Sequence, residues 1–341
     1  MVSKILHNFK NNYIYRHMNV EYVLEHADGH LKSEKDVRVG DVQITPFNAN
    51  SDFWLSKAKT FLPKFSEYGH FFKKRNMFGD MSLDNNRIVG VSLGGRNTKA
   101  VPTRLCYTAT KHVTDQHVLA YIEIEPHCNV SIEEEFFNDA DFKLYKIVYV
   151  VREGATVNIK RKINVCGSHD TIQIIETDVI QHPSSTFNIH TQEGIQDYLQ
   201  DIYFVEALQD TVTNITGRYF GKLNNNIHVI TDIDHIGTNC KSNVDVKSVT
   251  DDQSRFTFAG NLTVRQEAEG ADAHLSNKNL QLVDTVTVIT EPKLDISTKE
   301  IACTHGCTVS SIDKDQLYLL NTRGIDNNTS QQILTEAFLN G

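Results

Sequence analysis

From about Val101 to Val309 the sequence is a succession of short runs in which apolar residues fall on alternate positions, cut by Gly, Asn and Asp, with helical spacing nearly absent. Val157, Ile159, Ile163 and Val165 share one parity. Ile172 and Ile174, Phe256 and Phe258, Leu262 and Val264, and Val286 and Val288 repeat the pattern. Such alternation marks half-buried strands, because successive side chains of an extended chain point to opposite sides. A stretch this long with so few helix signals implies a large all-β body. A sandwich, a barrel and a parallel β-helix all satisfy it, and periodicity does not separate them. One type is set aside: no aliphatic residue recurs at every sixth position, as left-handed hexapeptide β-helices require.

The flanks have a different texture. Phe53, Trp54, Leu55, Phe61, Leu62 and Phe65 recur at mixed helical spacing, and Ser51-Asp52 offers an N-cap. A helix is therefore expected from Ser51 to about Met77, bent or split at Pro63. At the other end, Asp313 can cap a short helix carrying Leu317, Leu319 and Leu320, with Gly324 just past its end. A second helix is expected to start near Asn328-Thr329 and to carry Ile333, Leu334, Ala337 and Phe338. The plan is a partly helical region over 1–100, a β core over 101–311 and a helical segment over 312–341. Two short helices bury little surface alone, so they must pack on the body or on a partner.

Charge and motifs narrow the function. A formal charge of −9 argues against a general nucleic-acid binder, which needs a basic surface. No apolar run is long enough to span a bilayer as a helix. The six cysteines are scattered through a long chain, which suggests reduced thiols in a cytoplasmic setting rather than a disulfide framework. The start is basic and free of acids up to Glu21 but has no apolar h-region; a transit peptide stays open. There is no G-x-x-x-x-G-K-[ST] loop, G-x-S-x-G elbow, H-E-x-x-H or C-x-x-C. Glu133-Glu134-Glu135 reads most simply as a solvated edge, and His235 and Cys240 lie five apart in a polar stretch, a weak signal for a metal site.

The most specific segment is the last. It holds Glu291-Pro292-Lys293-Leu294-Asp295-Ile296, then Cys303-Thr304-His305-Gly306-Cys307-Thr308-Val309. Gln316-Leu317-Tyr318-Leu319, Thr322-Arg323-Gly324-Ile325 and Ala337-Phe338 follow. Upstream stand Asn239-Cys240-Lys241-Ser242-Asn243 and His274-Leu275-Ser276-Asn277-Lys278-Asn279-Leu280, with a weaker block from Leu119 to Glu135. In this order the blocks resemble the SufB/SufD family, the paired scaffold proteins of the SUF iron–sulfur cluster assembly system. The resemblance is closest to the SufD branch: Asn277 and Gly306 stand where SufB proteins carry a cysteine and a glutamate. Lys293 follows Pro292 rather than preceding it, and Cys307 replaces the usual Ala or Thr.

The resemblance implies an all-β core formed by a right-handed parallel β-helix with N-terminal and C-terminal helical segments. It also implies a non-enzymatic subunit that pairs with a SufB-like subunit, or with itself when isolated. A SufC-like ABC ATPase would be held through Leu317, Leu320, Arg323, Gly324, Ile325, Ile333, Leu334 and Phe338. A transient iron or Fe–S cluster would sit at the subunit interface, with His305 and Cys303 as ligands and no cofactor held tightly. Read from alternation alone, Ile301, Cys303, His305, Cys307 and Val309 share one face of a strand. Successive members of that face lie about 6–7 Å apart, too wide to close one ion without another chain or strand. Without the resemblance, Cys303 and Cys307 read more simply as small buried hydrophobes between Ile301 and Val309. Two alternatives remain: a stand-alone homodimeric scaffold, and a carbohydrate-active right-handed β-helix enzyme.

Overall fold

The alternating runs become strands whose hydrogen bonds are made not to the next run but to the next but one. This is a computed structural model; it describes strands over 38–39, 41–45, 52–57 and 88–94, then residues 102–108, 115–137, 142–163, 171–193 and 197–341. The first strands are β1 (Arg38–Val39), β2 (Asp41–Thr45), β3 (Asp52–Lys57), β4 (Ile88–Gly94), β5 (Thr103–Thr108), β6 (Asp115–Ile124) and β7 (Asn129–Phe137). The middle holds β8 (Phe142–Val151), β9 (Thr156–Ile163), β10 (Ile172–Gln181), β11 (Thr186–Glu193), β12 (Tyr198–Ala207) and β13 (Val212–Gly221). The last are β14 (Asn226–His235), β15 (Lys241–Thr250), β16 (Arg255–Val264), β17 (Ala271–Gln281), β18 (Thr287–Ile296) and β19 (Ile301–Ser311). Helices α1 (Lys314–Thr322) and α2 (Asn327–Asn340) close the chain.

Even-numbered strands from β4 to β18 stack in parallel in one sheet, here sheet A, and odd-numbered strands from β5 to β19 in a second, sheet B. Each coil thus gives one strand to each sheet, which is a parallel β-helix. Strand β2 pairs antiparallel with β5, and β3 with β4, so chain from before residue 95 joins both sheets. This corrects the helix expected from Ser51: residues 52–57 are strand, and the remainder of that expected helix lies outside the described residues. Phe53, Trp54 and Leu55 suit a pleated strand as well as a helix face, and β4 offers them a backbone edge.

In six successive coils, from β6–β7 to β16–β17, one corner is a tight turn with a residue in the left-handed region: His127, Gly154, Ser184, Asp210, Asn239 and Gly270 have φ between 57° and 74°. Each donates its N–H to a carbonyl of the next coil, as His127 to Glu153 and Asn239 to Glu269, at 2.7–3.0 Å. The turns stack as regularly as the strands.

The lumen holds one continuous apolar cluster, including Val157, Ile159, Ile163, Phe256, Phe258 and Leu262. Ile172 and Ile174 face away from it yet are buried as well, because β10 is covered on both sides. Apolar residues of both parities in that strand are what a sheet with two covered faces requires. Its outward side also buries Lys146 against Glu176 and, at 3.0 Å, Asp178.

Within the lumen lies a charged network. Arg161 donates Nε to Glu134 at 2.8 Å and Nη1 to Thr177 at 2.9 Å and Asp201 at 3.4 Å. Tyr107 and Tyr149 donate to Glu134, while Tyr203 and Tyr219 each donate to Asp201 at 2.7 Å. The Tyr219 ring occupies the space where a Cβ at Gly217 would be, so glycine is required there. Glu134 is therefore no solvated edge: only Glu133 and Glu135 of that run lie outside the lumen, since alternation turns the middle residue inward. Removing one partner from such a buried group leaves the others charged without compensation. Arg161→Met should lower unfolding free energy by about 3–5 kcal/mol, read from urea denaturation. Arg161→Lys should restore only part, since an ammonium cannot serve Glu134, Thr177 and Asp201 with the same fork.

Candidate functional site

Stacking ends at β18 and β19, each of which has a neighbour on one side only among the described residues, β16 and β17 respectively. An edge strand is a template for pairing with another chain, and single-chain proteins usually blunt or cover it. Side chains on the rim follow suit. Val309 is 46% exposed and Ile296 39%, while Val288, Leu294, Cys303 and Cys307 rest half-buried on the lumen cluster.

The register fixes where the sequence candidates stand. Cys303 lies opposite Ala273, His305 opposite Leu275 and Cys307 opposite Asn277, all on buried positions of β17. Cys303, His305 and Cys307 thus share the lumen parity of β19, as alternation implied. His305 is exposed at the open end. Burial raises the thiol pKa of both Cys303 and Cys307, so neither is activated by this chain alone. Beneath them runs an amide chain: Ser248 donates to Asn279 at 2.7 Å, Asn279 to Asn277 at 2.7 Å and to the Thr308 carbonyl at 3.0 Å, and Asn277 to the Val246 carbonyl at 3.2 Å. The side chain of Asn277 is thereby committed to the lumen. Among the described residues no three His, Cys, Asp or Glu side chains are placed to hold a metal ion. A soft ligand set at this rim would need donors from another chain.

The other candidates separate. His235, the last residue of β14, is buried with Nε2 2.9 Å from Ser242 Oγ, and Cys240 Sγ lies against the carbonyls of Leu208 and Gly237; the two flank the turn between β14 and β15. His182 meets Arg152 at 3.1 Å, and His169 lies outside the described residues. Alternation gave no sign of a chain on the outer face, in which Asp272 Oδ1 lies 2.9 Å from His274 Nε2 and His274 Nδ1 2.6 Å from Thr304 Oγ1. The three residue types sit at two-residue and one-coil separations, which become adjacency only after folding. The connectivity is that of a base-activated hydroxyl. It lies on an exposed sheet face, with the His274 side chain 49% and the Asp272 side chain 41% exposed.

The outer face of sheet B also has a groove of about 410 Å³ lined by Asn158, Asn188, Asn214, Lys160 and His190. Its asparagines are bonded to one another along the stack, Asn214 to Asn188 at 2.7 Å and Asn188 to Asn158 at 2.8 Å. Glu133 is the one acid among its lining residues, and it pairs with Arg104 at 3.4 Å. The two-carboxylate arrangement of glycoside hydrolysis is therefore not built there.

At the C-terminus, Asp313 accepts from the N–H of Asp315 and Gln316, and Gly324 takes φ 84° after α1, as the sequence implied. The cap of α2 is Asp326, which accepts from Thr329 N–H at 3.0 Å, two residues before the expected start. No residue of α1 is buried; Tyr318 is 71% exposed and Leu319 56%. Leu317, Leu320, Ile325, Leu334 and Phe338 are half-buried, Ile333 is 41% exposed, and Arg323 and Gly324 are exposed. The helices therefore display apolar surface that the β body does not cover.

A family model described as "SUF system FeS cluster assembly, SufBD core domain" matches residues 106–338. The chain belongs to the SufBD family. It is 35% identical over 99 residues to the iron–sulfur cluster assembly protein SufD of Escherichia coli K12, 29% of this chain and 23% of that one. It is 30% identical over 92 residues to a SufBD family protein of Synechocystis, covering 27% and 20% of the two chains. A Mycobacterium leprae member is 28% identical over 132 residues, 36% and 34% of the two. Each match thus spans between 20% and 34% of the relative's length. The SufBD core match begins at a residue of β5 and runs through both the open coil and the C-terminal helices.

Burial holds His235 neutral, with its pKa lowered from 6.5 to about 4, and holds His228 near 3. In the unfolded chain both protonate as pH falls below 6.5, so the unfolded state gains protons that the folded state refuses. Stability should thus decline as pH drops from 6.5 toward 4, with a slope approaching about 1.4 kcal/mol per pH unit for each histidine. Comparing urea midpoints of His228→Leu with the parent chain over that window should show a shallower decline in the variant.

Proposed function

We propose that this chain is a SufD-like, non-enzymatic subunit of a cytoplasmic iron–sulfur cluster assembly complex. The observation that carries the reading is the last coil, where a histidine and two thiols occupy the lumen parity of β19, a strand with a neighbour on one side only among the described residues. In this reading the edges of β18 and β19 pair with the equivalent coil of a SufB-like subunit, which satisfies their backbone groups and covers Val309 and Ile296. Iron or a nascent cluster is cargo at that junction. His305 supplies one ligand, Cys303 a second, and the partner supplies the rest. Cys307 packs inward beside Asn277. Asn277 and Gly306, together with the match to SufD, support the SufD role over the SufB role. In isolation the same edge would pair with a second copy.

The exposed apolar surface of α1 and α2 supports a second contact, with a SufC-like ABC ATPase, through Leu317, Leu320, Ile325, Ile333, Leu334 and Phe338. Arg323 and Gly324 shape the turn between the helices. Energy from ATP then enters through the partner.

Three measurements test this. His305→Ala, reconstituted anaerobically with SufB-like and SufC-like partners, should load cluster at least about tenfold less by visible absorbance, a loss already typical of outer-shell partners; normal loading refutes the ligand role. Deleting 313–341 should abolish co-purification of the ATPase, and retained binding refutes the helical contact. Val309→Lys should shift the isolated chain from dimer to monomer in light scattering at unchanged far-UV circular dichroism.

A further inference from the structure

Apolar packing does little to hold the C-terminal helices on the β body: α1 has no fully buried residue, and the fully buried residues of α2 are the small polar Ser330 and Thr335. The last turn of α2 is held differently. Arg218 on β13 and Lys247 on β15 are register partners, and Lys278 on β17 continues the same column. Lys247 Nζ donates to the Phe338 carbonyl at 2.9 Å and lies 5.6 Å from the centre of the Phe338 ring. Arg218 Nε donates to the Leu339 carbonyl at 2.7 Å. The rest of the guanidinium is fixed beforehand, with Nη1 on the carbonyls of Gly217 and Asp245 at 2.9 Å each and Nη2 on the Asp245 carboxylate.

These carbonyls are the ones a helix leaves without an intrahelical partner at its C-terminus, where the helix dipole also concentrates negative charge. Two cations side by side repel, and burial together with Arg218 lowers the Lys247 pKa. The helix end relieves that repulsion, so column and helix are complementary. We infer that Arg218 and Lys247 are positioning residues: they dock the C-terminal end of α2 on sheet B and thereby set the direction in which α1 presents Tyr318 and Leu319. The consequence for partner binding rests on the ATPase reading above; the docking itself does not.

Hydrogen exchange on the full-length chain tests it. In the double variant Arg218→Ala/Lys247→Ala, exchange of peptides within 327–341 should accelerate at least tenfold while β8 to β11 exchange as before. Lys247→Arg, which keeps a cation and its donors, should exchange like the parent. Unchanged exchange in α2 overturns the proposal, and so does equal acceleration in the strands, which would mark a general loss of stability. A second arm titrates a purified SufC-like ABC ATPase: the double variant should bind at least tenfold more weakly, with Lys247→Arg near parent affinity. Looser helices with undiminished binding overturn the positioning role. An ATPase that does not bind even the parent chain refutes the partner reading alone, leaving the exchange result to decide the docking.

Discussion

A coil of a parallel β-helix is completed only by the coils on either side of it. Its backbone donors and acceptors point along the stack, and so do its corner turns, whose left-handed residues hand their N–H groups to the next coil. The interior follows the same rule, because a lumen side chain is covered by the coil above and the coil below. This makes the fold additive and gives it an end that cannot satisfy itself. The half-buried thiols, the exposed His305 and the one-sided pairing of β18 and β19 all follow from a stack in which no further coil succeeds the last among the described residues.

The lumen is not uniformly apolar, and its polar part is where specificity is greatest. Arg161, Glu134 and Asp201 tie together residues from both sheets and from several coils, with four tyrosines supplying the remaining donors. Such a network is expensive to bury and tolerates one arrangement, so it resists a slip of one coil against the next. A column of purely aliphatic residues would accept several registers. The same logic holds outside the lumen, where Arg218, Lys247 and Lys278 form a column whose repulsion is relieved by the end of α2.

Much of this was legible in the chain. Alternation identified the strands, caps and a glycine identified the terminal helices, and the ordered blocks around Asn277, His305 and Arg323 pointed to the family. What escaped had physical reasons. Glu134 looked solvated because its neighbours are Glu133 and Glu135, and nothing local marks Arg161 as its partner. The strand over 52–57 carries residues that serve a helix equally well, and only β4 decides between them. The repeat went unseen because its corner residue is His, Gly, Ser, Asp, Asn or Gly, selected for backbone conformation rather than identity. The chain from Asp272 through His274 to Thr304 needs two strands in register before it exists.

By itself the sequence determined that the core is β, that its strands have a defined inward parity, that two helices follow it with the first capped by Asp313 and ended at Gly324, and which family the chain belongs to. Those properties are local or are carried by ordered residue identity. Only the tertiary structure decided which inward positions are sealed and which lie at an open end, because burial depends on whether another coil follows. It also decided that α2 is fastened by cations from distant strands rather than by its own apolar face. The same Cys, His and Cys spacing in an interior coil would be core; on β19 it is an unfinished edge.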